Sequence, residues 1–114
     1  MKVSDLIRET GCEVKTGFDL EREITGCYIS DLLSDVLANS KEGNLWITHH
    51  THPNVVAVAA VKDLSMVIIT GDKPVEPATL GRAASEKVNI VTSGQPTFET
   101  AGVVYDLLKK ERKP

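Results

Sequence analysis

Apolar and polar positions along this chain fall into blocks that repeat one order three times. Leu45-Trp46-Ile47-Thr48, Met66-Val67-Ile68-Ile69-Thr70 and Asn89-Ile90-Val91-Thr92 are strand-like runs closed by threonines 22 residues apart. A short polar loop follows each run, and Pro53, Pro77 or Pro96 then opens a helix-like stretch. Proline suits the first helical position because its missing N–H has no partner to lose there. The stretch 53–62 is rich in valine and alanine, so periodicity alone leaves strand and helix open. Topology favours a helix, because parallel strands at 45–48 and 66–70 need a crossover of roughly a dozen residues. That helix is expected to be buried on nearly every side. The helix over 77–87 is expected to turn Leu80, Ala83 and Ala84 inward. The last, over 96–109, is expected to bury Phe98, Ala101, Val104, Tyr105 and Leu108.

Ahead of the repeat, Val3, Leu6 and Ile7 share one face of a helix over 3–10 that Gly11 would stop. Residues 13–15 read as a short extended piece and 24–29 as a strand. Leu32, Leu33, Val36 and Leu37 then mark a helix over 31–40, with Ser30 as its N-cap and Gly43 just past its end. Strands alternating with helices predict an α/β class, a three-layer α/β/α architecture with a mainly parallel open sheet. In such sheets the loops after the strands gather at one edge, where ligands usually bind.

Composition narrows the function. The 114 residues are 41% hydrophobic and 25% charged, which suits one soluble domain spanning 1–114. A net charge of −3 provides no broad positive field, so nucleic acid is not the expected partner. The basic run Lys109-Lys110-Glu111-Arg112-Lys113 reads as a solvated, frayed helix end. Cys12 and Cys27 make neither a disulfide framework nor a zinc motif. With no signal peptide evident, they read as reduced thiols in a cytoplasmic protein. The longest apolar run, 55–61, is far too short to span a bilayer, so no membrane is expected.

The densest chemistry is Thr48-His49-His50-Thr51-His52 in the first loop. Neutral imidazoles can ligate zinc, and Asp72 on the neighbouring loop could complete a set. Yet three histidines within four residues do not by themselves converge on one ion, and the expected metal is none. The competing structural reading has His52 capping the helix opened by Pro53. An anion or nucleotide site at the same edge would draw on Thr48, His50, His52 and Asn54, then Thr70, Gly71, Asp72 and Lys73, then Thr92, Ser93 and Gly94. Three helix N-termini would point unpaired N–H groups toward these loops, with Lys73 as the one cation among them. Gly71-Asp72-Lys73-Pro74 lacks the spacing of a phosphate-binding P-loop, and no Gly-x-Gly-x-x-Gly run occurs. The alternative is that these residues simply make tight turns.

Catalysis has little support: Ser30 and Ser93 lack the surroundings of a nucleophile, and Glu21-Arg22-Glu23 reads as a charged surface turn. Cys27 reads as a small buried hydrophobe. No cofactor is expected. The large aliphatic content instead suggests a second copy as partner, with Leu33, Leu37 and Trp46 as candidate interface residues. A different protein partner is a further expectation.

Residues 26–37, Leu45-Trp46-Ile47-Thr48, Ile68-Ile69-Thr70-Gly71, Val91-Thr92 and Thr97-Phe98-Glu99-Thr100-Ala101 together resemble the DRTGG domain family, over about 24–108. Such domains occur in CBS-containing pyrophosphatases and some phosphotransacetylases, and resemble the N-terminal, non-catalytic domain of HPr kinase/phosphorylase. The resemblance implies a regulatory or oligomerisation module of α/β/α fold, dimeric and without chemistry of its own. Thr70-Gly71 matches the family's Thr-Gly-Gly turn, but Asp72 stands in place of its second glycine. His52-Pro53 stands where the family often has Asp-Arg.

Overall fold

The computed structural model describes residues 1–111. Ten elements follow one another: α1 (Val3–Thr10), β1 (Glu13–Thr16), β2 (Gly26–Ile29), α2 (Leu33–Asn39), β3 (Asn44–Thr48), α3 (Asn54–Val61), β4 (Met66–Ile69), α4 (Pro77–Glu86), β5 (Ile90–Thr92) and α5 (Thr97–Glu111). The five strands form one sheet in the order β1-β5-β4-β3-β2. β2, β3, β4 and β5 are parallel neighbours, while β1 runs antiparallel along β5, pairing Glu13 with Thr92. This is the expected α/β/α sheet, with one antiparallel edge added.

Side chains alternate across the pleat, and each face of the sheet buries its own core. On one face Trp46, Val67, Ile69 and Ile90 pack against Val36 of α2, Val55, Val56, Val58 and Ala59 of α3, and Ala83 of α4. On the other, Leu45, Ile47, Met66, Ile68 and Val91 pack against Val3 and Leu6 of α1 and Val104 of α5. The helices after β2, β3 and β4 therefore lie on one face, and the helix after β5 lies on the opposite one. Each step from β2 to β5 moves one strand along the sheet. Crossovers of one hand then place their helices on one face.

Several sequence expectations need correction. Trp46 is wholly buried, and its indole N–H donates to the Ser30 carbonyl at 2.9 Å, so it belongs to the core and not to a surface available to a twin subunit. Leu33 is partly buried against the same core, which leaves Leu37 as the exposed member of that trio. α2 begins at Leu33, two residues later than expected, because the Ser30 hydroxyl accepts from the Leu32 N–H at 3.1 Å and holds that turn outside the helix. α3 is not enclosed: Ala60 and Val61 face solvent. α4 buries Thr79 and Ala83, while Ala84 is exposed. α5 presents Phe98 and Tyr105 outward, 83% and 64% exposed, because its inward stripe is Thr100 and Val104. Cys27 is exposed as well. The helical spacing located these elements but left their rotation about the axis open. Of the basic C-terminal run, Lys109 and Lys110 are helical, whereas Arg112 and Lys113 lie outside the described residues.

Among the described residues no helix is long and apolar enough to cross a membrane.

Candidate functional site

The carboxyl ends of β2, β3, β4 and β5 form one rim, and the sequence-predicted candidates divide between its two ends. At the β2–β3 end, Asp31 gathers the histidine loop. One carboxylate oxygen accepts from the Thr48 hydroxyl at 2.7 Å and the His49 N–H at 3.0 Å, and the other lies 2.7 Å from His49 Nε2. The His50 ring pairs with the Asp31 carbonyl, and the His50 N–H donates to Thr48 Oγ1 at 3.2 Å. Burial pushes the Asp31 carboxyl up, but the bonds from Thr48 and His49 outweigh it and hold the group below its ordinary value. His52 Nδ1 accepts from the Asn54 N–H at 3.1 Å, which is the capping role expected of it before α3. Among the described residues, no three His, Cys, Asp or Glu side chains come together as a metal-ligand set. Thr48, His50, His52 and Asn54 thus belong to a bonded loop and do not border the cavity at the β4–β5 end.

The β4–β5 end is open. A polar cavity of about 500 Å³ lies between the loops after these strands, with Asp72, Lys73, Thr92, Ser93 and Gly94 on its wall. Ile69 and Val75 border it from the core, both buried. Gly11, Glu13 and Lys15 close its third side. They arrive there because antiparallel β1 starts where β5 ends. Lys15 Nζ is 3.0 Å from Glu13 Oε1. Lys73 makes no ion pair among the described residues. Gly71 and Asp72 both adopt positive φ, 93° and 54°, turning the chain sharply after Thr70. Asp72 bears that conformation where a glycine would bear it more easily, at modest cost because aspartate tolerates the left-handed region.

Two of the predicted hydroxyls serve the loops instead of the cavity. Thr70 Oγ1 lies 2.7 Å from Thr97 Oγ1, tying the β4 end to the start of α5. Ser93 Oγ lies 2.9 Å from Thr100 Oγ1 and accepts from the Gln95 N–H at 3.2 Å. Ser93 is therefore a buried residue whose hydroxyl is engaged by its own loop and by α5.

The position of the cavity follows from the chain path. β4 leads to a helix on one face and β5 to a helix on the other, so the two loops diverge and leave a crevice between them. Crevices of this origin are the usual binding places of open α/β sheets. Sequence reasoning missed Glu13, Lys15 and Asp31. The two β1 residues lie about 80 positions from Thr92 and Ser93 in sequence, and a four-residue strand of mixed polarity carries no signal of its partner.

No protein-family model matches the chain, and no curated protein sequence does so either. Among solved structures it is similar to the CBS and DRTGG domains of the regulatory region of Clostridium perfringens pyrophosphatase, complexed with the activator diadenosine tetraphosphate. The TM-score is 0.70 at 12% identity. The fold is DRTGG-like. The likeness covers 90% of this chain and 45% of that one, so the chain spans less than half the length of the region it matches. That neighbour is a regulatory region.

Proposed function

We propose that this DRTGG-like domain, a single domain over 1–114, is a non-catalytic, dimeric regulatory module of the cytoplasm that responds to a nucleotide in the β4–β5 cavity. The observation that carries the reading is the open crevice itself, bordered by Lys15 and by Lys73, which makes no ion pair among the described residues. Its mixed lining suits a nucleotide better than bare phosphate. Lysines meet phosphoryl oxygens, and Glu13 and Asp72 accept from ribose hydroxyls or base amines. The nucleotide activator of the structural neighbour supports the ligand class. Ligand binding would act by favouring one arrangement of the dimer over another.

Calorimetric titration with diadenosine tetraphosphate and with ATP tests this. Saturable binding is expected, weakened about tenfold or more in Lys73→Ala, the loss of one charge-assisted phosphate bond. Lys15→Ala should weaken it less, since that cation is already shared with Glu13. Absence of heat with both nucleotides at millimolar concentration would remove the nucleotide reading.

A further inference from the structure

The two edges of the sheet are protected to different degrees. β1 carries Glu13 and Lys15 and breaks register between Val14 and Thr16, features that discourage another strand from adding. β2 reads Gly26-Cys27-Tyr28-Ile29, with no charge, proline or register break, and no described strand pairs with its outer edge. Beside it runs an apolar groove of about 320 Å³ between Cys27 and Ile29 of β2 and Ala101, Val104, Tyr105 and Leu108 of α5. The protein around Cys27 pushes its thiol up to about 12 by desolvation, although the residue is at the surface. The thiol is therefore neutral near pH 7, which keeps this edge uncharged.

On α5, Phe98, Gly102, Tyr105 and Lys109 follow at steps of four, three and four, and so share one exposed stripe. Read against itself in the opposite direction, the stripe is its own complement. Phe98 meets Lys109 of a twin helix, and Tyr105 meets Gly102, where nothing lies within 4 Å of an added Cβ. Lys109 Nζ already lies 5.9 Å from the Tyr105 ring centre, a cation over an aromatic face. Charge agrees with the antiparallel arrangement: Glu99 stands near the start of α5, and Lys109 and Lys110 near its end. Aromatic side chains bury roughly 150–250 Å² each, so the four exposed rings of a pair supply on the order of 600 Å². That is about half of the ~1,200 Å² at the lower end of stable interfaces. The β2 edges and Ile29 lie alongside to add to it.

We infer that the interface of this protein with a second copy of itself is the β2 edge together with the Phe98-Gly102-Tyr105-Lys109 stripe of α5. One two-fold axis perpendicular to the sheet serves both parts, pairing β2 antiparallel with its twin and α5 antiparallel with its twin. The inference rests on the dimeric reading above and places the interface away from Leu33 and Leu37 on α2.

Light scattering across a concentration series, on the wild type, Gly102→Arg, Phe98→Glu/Tyr105→Glu and Leu37→Glu, tests it. Wild type and Leu37→Glu are expected to be dimers. The two α5 variants should raise the dissociation constant about thirtyfold or more, as loss of a buried aromatic anchor does. Gly102→Arg is decisive because an added Cβ there meets nothing within 4 Å in the monomer and the position is exposed, so circular dichroism should show the fold intact. Hydrogen exchange at 26–29 should rise on dilution of the wild type and not at 13–16. A dimer that survives both α5 variants but dissociates in Leu37→Glu overturns this surface and keeps the dimeric reading. A wild-type monomer at every concentration overturns both.

Discussion

The β2–β3 and β4–β5 ends of the sheet's rim are made from similar strand-loop-helix segments, yet one has closed on itself and the other has not. At the first, Asp31, Thr48, His49 and His50 satisfy one another through hydrogen bonds. At the second, Lys73 borders a cavity of about 500 Å³ and makes no ion pair among the described residues. The difference comes from the paths of the helices. α2 and α3 lie on the same face, so the loops at 30–32 and 49–53 run side by side and can bond. α4 and α5 leave on opposite faces, and the loops at 71–75 and 93–96 separate. Residue chemistry pointed to the histidine loop as the richer site. Chain path makes it a clasp and makes the plainer loops the opening.

Removing the closed end's foundation should have the largest effect on stability. Trp46→Ala empties a fully buried site and leaves the Ser30 carbonyl without its donor, and a loss of about 3–5 kcal/mol is expected in urea unfolding. Asp31→Ala removes the acceptor of the buried Thr48 hydroxyl and of the His49 N–H. It should cost about 1–3 kcal/mol by the same measurement, the penalty of leaving such groups unpaired. Neither change should alter nucleotide affinity in the fraction that stays folded. An equal loss of affinity in Asp31→Ala would mean that the two ends of the rim are one site.

The open end should respond in the reverse way. Lys73→Ala is expected to leave stability within about 0.5 kcal/mol, as surface substitutions without buried partners do. Its effect belongs in the titration. A loss of several kcal/mol in thermal unfolding would show that Lys73 is a structural partner and would weaken the contrast between the two ends.

Much of the fold was legible because strand period, helix spacing and turn residues agreed with one another. Three apolar runs closed by threonine and three prolines at or next to helix starts located most of the parallel sheet, and Gly11, at φ 69°, stops α1 as its place in the pattern implied. The lining of the cavity was only half legible. Asp72, Lys73, Thr92, Ser93 and Gly94, which border it, were picked out through position at or just after a strand end. Glu13 and Lys15 were not, because antiparallel pairing across about 80 residues leaves no local mark. Asp31 was absorbed into a helix that in fact begins at Leu33. Phe98 and Tyr105 were placed inside because a large aromatic at helical spacing usually is buried. Spacing shows which residues share a face and cannot show whether that face is covered.

The smallest expected effect is the pH dependence of the clasp, and it tests the mechanism most directly. The bonds from Thr48 and His49 hold the Asp31 carboxyl below its ordinary value of 3.8 in the folded state. A carboxyl lowered by folding stabilises the protein at pH values above its unfolded pKa, and that contribution is lost as pH falls through the lowered folded value. In Asp31→Asn the contribution is absent throughout. The difference in urea midpoint between wild type and Asp31→Asn should therefore narrow as pH falls below about pH 4. Asp35 and Asp63 are also held low by their own bonds and remain in both proteins, so they cancel from the difference. A difference that stayed constant down to pH 2 would mean that the ionised carboxylate contributes nothing, and that the clasp rests on hydrogen bonds the amide can also make.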